Sequence, residues 1–366
     1  MLAARPREGV ISGQALKIVR ESVGATQEGL AELLEVDPNT VQSWESGRRG
    51  LPGTRVATLN ELRRQLHLLG AAESALAALL PAVEADYLLR FVIDTDPLET
   101  PLDRHPLAAS VLRRDVVDLL AWPFTDTPPS GLPAATSRRN GPRSSSPAVS
   151  VAEREAFFAH LQTVVERSRR FNPGPADPQP HRQIYYFMQW DPRASTQDWV
   201  QAMERAERRC WPASHGWTPR WVTARSAAIT QARHGDPEPL RAFIAAGLAD
   251  QEDCEDADLN YWAYWLGETS ASWRRDEAMA DGLHRWAGYG LLERFSDRLV
   301  PDEPLLDLYA HSTAALVVRR PHLLRERSMA VGLATKIQLA LESAGLGTHT
   351  RRRLEDIRFA LRLNTE

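Results

Sequence analysis

The stretch that decides the fold is TQEGLAELLEVDPNTVQSWESGRR, Thr26 to Arg49. Thr26 is a residue type whose side chain caps a helix start, and Leu30, Ala31 and Leu34 then fall on one face of a helix. Asp37 can cap a second helix. Pro38 occupies its first position, where the missing N–H has no intrahelical partner to lose. Gly47 follows the last turn, where a left-handed residue commonly ends a helix. Val41 and Trp44, three apart, share the face that anchors the second helix to the first. Asn39, Thr40, Gln42 and Ser43 are then expected to point outward. A short helix with one buried apolar edge and a polar edge opposite suits the major groove of DNA, whose base edges offer donors and acceptors.

Thr26-Gln27, Leu30-Ala31 and Trp44-Glu45-Ser46-Gly47 stand together in the register of a known signature. Through them, residues 12–69 resemble the Xre/Cro family of helix-turn-helix transcriptional regulators, over under a fifth of the 366-residue chain. The resemblance implies a mainly α protein with a lambda-repressor-like domain that binds double-stranded DNA. It implies that Gln27 bonds a backbone phosphate and that Asn39 and Ser43 contact bases, with Thr40 and Gln42 as neighbours. It implies that Arg20 and Glu45 form a structural ion pair, as in the lambdoid phage repressors. Arg48, Arg49 and Arg55, beyond the recognition helix 38–46, are then phosphate clamps. Two positions depart from the pattern. Glu35 stands where the turn commonly has glycine, a modest cost if its φ is positive. Pro38 replaces a frequent base reader, which leaves reading to Asn39 and Ser43. A helix-turn-helix kept only to bind protein needs Leu30, Ala31, Val41 and Trp44 just as much. The outward polar residues and trailing arginines favour DNA.

Length fits two or three domains, and 43% hydrophobic with 25% charged residues is ordinary for a globular protein. A net charge of -4 argues against a nucleic-acid coat protein but not against one local DNA-reading surface. Lysine occurs only at Lys17 and Lys336, so arginine carries nearly all the positive charge. Cys210 and Cys254 make no disulfide framework and no metal spacing. The opening MLAARPREGV has no apolar run fit for a signal peptide, and no stretch is long enough to span a membrane. The expectation is a cytoplasmic protein without metal or cofactor.

Around the motif the pattern is helical. Val56, Leu59, Leu62, Leu66 and Leu69 form an apolar stripe, and a further helix is expected from Ala71 to Leu80, ending at Pro81. YLLRFVID is rich in strand formers and reads as a short strand; Ala108–Ala121 reads as a helix. Residues 123–150, rich in Pro, Ser, Gly and Arg, read as a flexible linker whose Arg138, Arg139 and Arg143 are either solvated or brush phosphates. The expected division is 1–70 for the helix-turn-helix domain, 71–122 for a helical connecting region, 123–150 for the linker and 151–366 for a helical dimerisation or sensor domain.

In that last region, Ser150 and Glu153 form a capping-box pattern, and Asp236-Pro237 opens a helix that Gly247 can close. Further helices are expected near 257–267, 272–290, 304–319, 322–344 and 350–362, giving a bundle or a set of TPR-like helical hairpins, without a fixed repeat. In NYWAYWLGE, Tyr261, Trp262, Tyr264 and Trp265 either line a ligand pocket or fill the core. The layout is similar to actinobacterial regulators and to peptide-pheromone receptors, which makes a homodimer and a peptide, small-molecule or protein effector the natural expectations. An antitoxin-like interaction module is the alternative. No phosphate loop, HExxH or GxSxG occurs, and histidines such as His284 and His311 are scattered, so no enzyme is expected.

Overall fold

A computed structural model describes residues 8–133, 146–171, 179–210, 216–269, 272–282, 285–342 and 346–363. Helices account for all the regular structure among them, and no strand occurs, so the mainly α expectation holds. Arg138, Arg139, Arg143 and His284 lie outside the described residues. No described helix is long and apolar enough to cross a membrane. The chain divides into two compact units. One comprises residues 1–101 and 114–167, the other 102–113 and 168–366. Those limits do not coincide with boundaries at 70, 122 and 150.

The first unit opens with α1 (Val10–Ser22), α2 (Gln27–Leu33), α3 (Pro38–Glu45), α4 (Val56–Leu68), α5 (Glu73–Ala77) and α6 (Leu79–Asp94). YLLRFVID is the second half of α6, not a strand. Leu88, Leu89 and Val92 are all buried there, and the helix packs against α1 and returns to meet a later one. When a helix is buried on so many sides, the branched and aromatic residues it needs for packing imitate strand composition. Pro81 does not end a helix either; it sits in the first turn of α6, where backbone N–H groups have no intrahelical acceptor. After α7 (Pro106–Ala109), which belongs to the second unit, the chain returns as α8 (Arg114–Thr125) and then α9 (Val151–Phe171), whose residues to Arg167 belong here.

The ends of the expected linker are packed. Pro123 and Phe124 lie in the last turn of α8, and Leu132 is also buried. The Arg154 guanidinium donates to the carbonyls of Pro123 and Phe124, closing the C-terminal end of α8. The Ser150–Glu153 capping box forms as expected: the Ser150 N–H donates to Glu153 Oε2 at 2.9 Å, and the Glu153 N–H to Ser150 Oγ at 3.2 Å.

The second unit runs through α10 (Gln179–Met188), α11 (Ala194–Cys210), α12 (Pro219–Arg233), α13 (Glu238–Gly247) and α14 (Glu252–Trp265). It continues through α15 (Tyr289–Asp297), α16 (Leu306–Arg319), α17 (Arg327–Leu341) and α18 (Thr348–Leu363). Residues 272–290 do not form the expected single helix. A 3-10 turn occupies Asp276–Ala280, and α15 starts only at Tyr289 after Gly288 in the left-handed conformation, φ 87°. Two helices are central. The α12 helix contacts α10, α11 and α13, and α16 contacts α13, α14, α15 and α18. Residues Leu306 to Val317 of α16 are buried without a break. Such a helix is surrounded, and its polar groups need partners inside the fold. Arg225 Nε donates to Asp258 Oδ1 at 2.7 Å and Ser312 Oγ to Asp258 Oδ2 at 2.8 Å, which ties α12, α14 and α16 together.

Candidate nucleic-acid interface

The helix-turn-helix forms from the caps read in the sequence. Thr26 Oγ1 accepts the Gly29 N–H at 2.9 Å, and Asp37 Oδ1 accepts the Asn39 N–H at 2.8 Å. Between the helices Glu35 takes φ 53°, the left-handed region in which a side chain is mildly strained. Leu30, Ala31, Val41 and Trp44 are buried between α2 and α3. The approach of α1 to α3 is closer still. A Cβ placed on Gly13 would lie 2.2 Å from the Trp44 carbonyl oxygen, so only glycine permits this crossing.

Arg20 and Glu45 make the ion pair that the resemblance implied. Arg20 Nε donates to Glu45 Oε1 at 2.5 Å and Nη2 to Oε2 at 2.9 Å, while Nη1 donates to the Ala25 carbonyl at 2.7 Å. Both side chains are buried, at 8% and 3% exposure. Burial acts to lower the Arg20 pKa, but the hydrogen bonds and charge of Glu45 outweigh it and the net shift is upward. Gln27 joins this cluster. Its Nε2 donates to Glu45 Oε2 at 2.6 Å, so the side chain expected on a phosphate is turned inward, toward the nearest carboxylate.

The outer edge of α3 differs from expectation at one residue. Asn39 and Gln42 are exposed and Thr40 is half-buried, but Ser43 is only 5% exposed. By helical period Ser43 lies opposite Val41. It is covered because the chain turns back after Gly47, φ 69°. The Arg49 N–H then donates to the Ser43 carbonyl at 3.2 Å, and Arg48 Nη2 to Ser43 Oγ at 2.8 Å. Arg48, Arg49 and Arg55 are exposed, the last of them just before α4.

One organising residue escaped the sequence reading. Asp86 of α6, 1% exposed, accepts the N–H of Ile11 and the N–H of Ser12, each at 2.8 Å. It caps the start of α1 from 75 residues away, at a helix whose own N-cap, Gly9, has no side chain to offer. Burial pushes the Asp86 carboxyl up to about 6, against the pull of those hydrogen bonds. Its sequence signal is faint: one of three acids in α6, with Glu84 and Asp94, and nothing to name its partner.

The aromatic residues of α14 are core. Trp262 packs edge-on against Phe295 and beside Tyr309. Tyr264 stacks on Trp273 with centroids 4.3 Å apart, and its hydroxyl donates to the Val111 carbonyl at 2.7 Å. Tyr261 and Trp265 pack partly buried against the same core, with Arg182 and Arg225 each 5.1 Å from the Tyr261 ring centroid. Trp262 and Tyr264 thus fill core space, with Tyr261 and Trp265 packed against them. Among the described residues no group of three or more His, Cys, Asp or Glu is placed to hold a metal ion.

A family model described as a helix-turn-helix domain matches residues 13–79. Residues 13–79 are a helix-turn-helix domain. The match runs past α4 and α5 to the start of α6, so it includes more than the two-helix motif. Comparison with curated proteins and with solved structures finds no match for this chain. The helix-turn-helix domain is a DNA-binding type, and DNA is the partner it points to.

Proposed function

We propose that the protein is a sequence-specific transcriptional regulator of the Xre/Cro kind that binds as a homodimer to a palindromic operator, with no catalytic role. The observation that carries this reading is the exposed edge of α3. Asn39 and Gln42 present amide groups able to pair with base edges, Thr40 stands between them in sequence, and the exposed Arg48, Arg49 and Arg55 follow in the chain. Behind that edge lies a rigid support: Gly13 against Trp44, and Glu45 held by Arg20 and Gln27.

The roles divide by position. Asn39 and Gln42 read bases. Ser43 holds the Arg48 guanidinium rather than reading a base itself, and Arg48, Arg49 and Arg55 neutralise phosphates. Gln27 serves the Glu45 cluster. One short recognition helix reads too few base pairs for useful specificity, so two copies about 34 Å apart along one face of the duplex are required.

The test is fluorescence anisotropy of full-length protein on a duplex as salt is raised. Combined Arg48→Ala, Arg49→Ala and Arg55→Ala should reduce the salt slope by about 2 to 3, close to 0.9 for each phosphate no longer neutralised. An unchanged slope would remove these arginines from the interface.

A further inference from the structure

Between α15 and α17 lies a cavity of about 500 Å3, a volume suited to a small molecule. Its floor is apolar, with Leu292 and Leu333 buried beneath it and Met329 beside them. Its edge is acidic. Glu293 and Asp297 from α15 and Glu326, which precedes α17, line it, and Lys336 is the one Lys or Arg among its lining residues. Lys336 Nζ stands 4.0 Å from Asp297 Oδ1 with both side chains well exposed, so that pair neutralises the edge only weakly.

A second observation concerns Gly332, which lines the same cavity from inside α17. Glycine weakens a helix interior relative to alanine. Here a Cβ would meet no atom within 4 Å, so packing within the chain makes no demand for glycine. Its missing side chain keeps the cavity open.

We propose that this cavity binds a small organic cation. The apolar body rests on Leu292, Met329 and Leu333, and an ammonium or guanidinium group lies against Glu293 and Asp297. This site is separate from the helix-turn-helix residues, and its occupancy can be read without DNA.

The experiment uses full-length protein carrying 13C-methyl methionine. Five methyl signals are expected, and Met329→Leu identifies the one that matters. The probes are 4-phenylbutylammonium, 4-phenylbutanol and 4-phenylbutyrate, which share one apolar body and differ in charge. The Met329 signal should move saturably with the cation, at about fivefold higher affinity than with the alcohol and more still than with the carboxylate. Glu293→Gln with Asp297→Asn should erase the preference for the cation over the alcohol. Gly332→Leu should abolish the shift while leaving the thermal midpoint unchanged or higher, since leucine favours the helix. No saturable movement, equal binding of the carboxylate, or undiminished binding by the Gly332→Leu protein would each overturn the proposal.

Discussion

Replacing Glu45 by alanine removes the acceptor of three hydrogen bonds, two from Arg20 and one from Gln27. The Arg20 guanidinium would keep only the Ala25 carbonyl and Glu21, 3.6 Å away. At 8% exposure it cannot recover its hydration without opening the domain. Breaking one side of a buried ion pair costs about 3–5 kcal/mol. Deleting both charges is different, because desolvation of the pair offsets much of its attraction. Arg20→Met with Glu45→Leu should therefore lie within about 1 kcal/mol of the parent or above it. Hydrogen exchange read by mass spectrometry on peptides from α1 to α3 reports this unit apart from the rest of the chain. Protection in the Glu45→Ala protein should fall by about two to three and a half orders of magnitude, at 1.36 kcal/mol per decade. A loss below tenfold, or a double variant as damaged as the single one, would refute the reasoning.

Gly13→Ala should destabilise the first unit by about 2–3 kcal/mol or more, because its Cβ meets a backbone carbonyl that cannot rotate away. Gly53→Ala, where a Cβ meets nothing within 4 Å, should stay within about 0.5 kcal/mol in the same urea titration. Glu35→Asn should stabilise by about 0.5–1 kcal/mol, since asparagine tolerates the left-handed backbone better. The Asp86 carboxyl, raised to about 6 from 3.8, binds its proton more tightly in the folded state. Its contribution is complete below about pH 3.8 and is lost as pH rises through 6. The wild-type protein should lose about 3 kcal/mol relative to Asp86→Asn across that window, seen as diverging urea midpoints between pH 4 and 7. On a selected binding site, Asn39→Ala and Gln42→Ala should each cost about 1–3 kcal/mol while sparing affinity for random DNA.

What was legible in the sequence was local. Thr26 with Gly29, Asp37 with Asn39 and Ser150 with Glu153 are caps completed within two or three residues, and each forms as read. Asp236, too, accepts the Glu238 N–H at the head of α13. The Arg20–Glu45 pair spans 25 residues and came from resemblance, not from spacing. Contacts set by tertiary return were not legible. Ser43 is covered by chain that follows its own helix, and Asp86 caps a helix far upstream. The central helix α12 also left no periodic trace. Thr223, Arg225, Thr230 and Gln231 are buried in it along with its apolar residues, so no face is distinguished. In α14 the aromatic spacing suited core packing better than a pocket, but did not tell which rings would meet: Phe295 and Tyr309 against Trp262, and Trp273 against Tyr264.

The central claim is tested most directly by selecting random duplexes against full-length protein at physiological salt and sequencing what is retained. The account predicts an enriched inverted repeat whose half-sites lie about ten base pairs apart, with Asn39→Ala protein failing to enrich it. Retention without any enriched motif, weakening uniformly as salt rises, would contradict sequence-specific reading by α3.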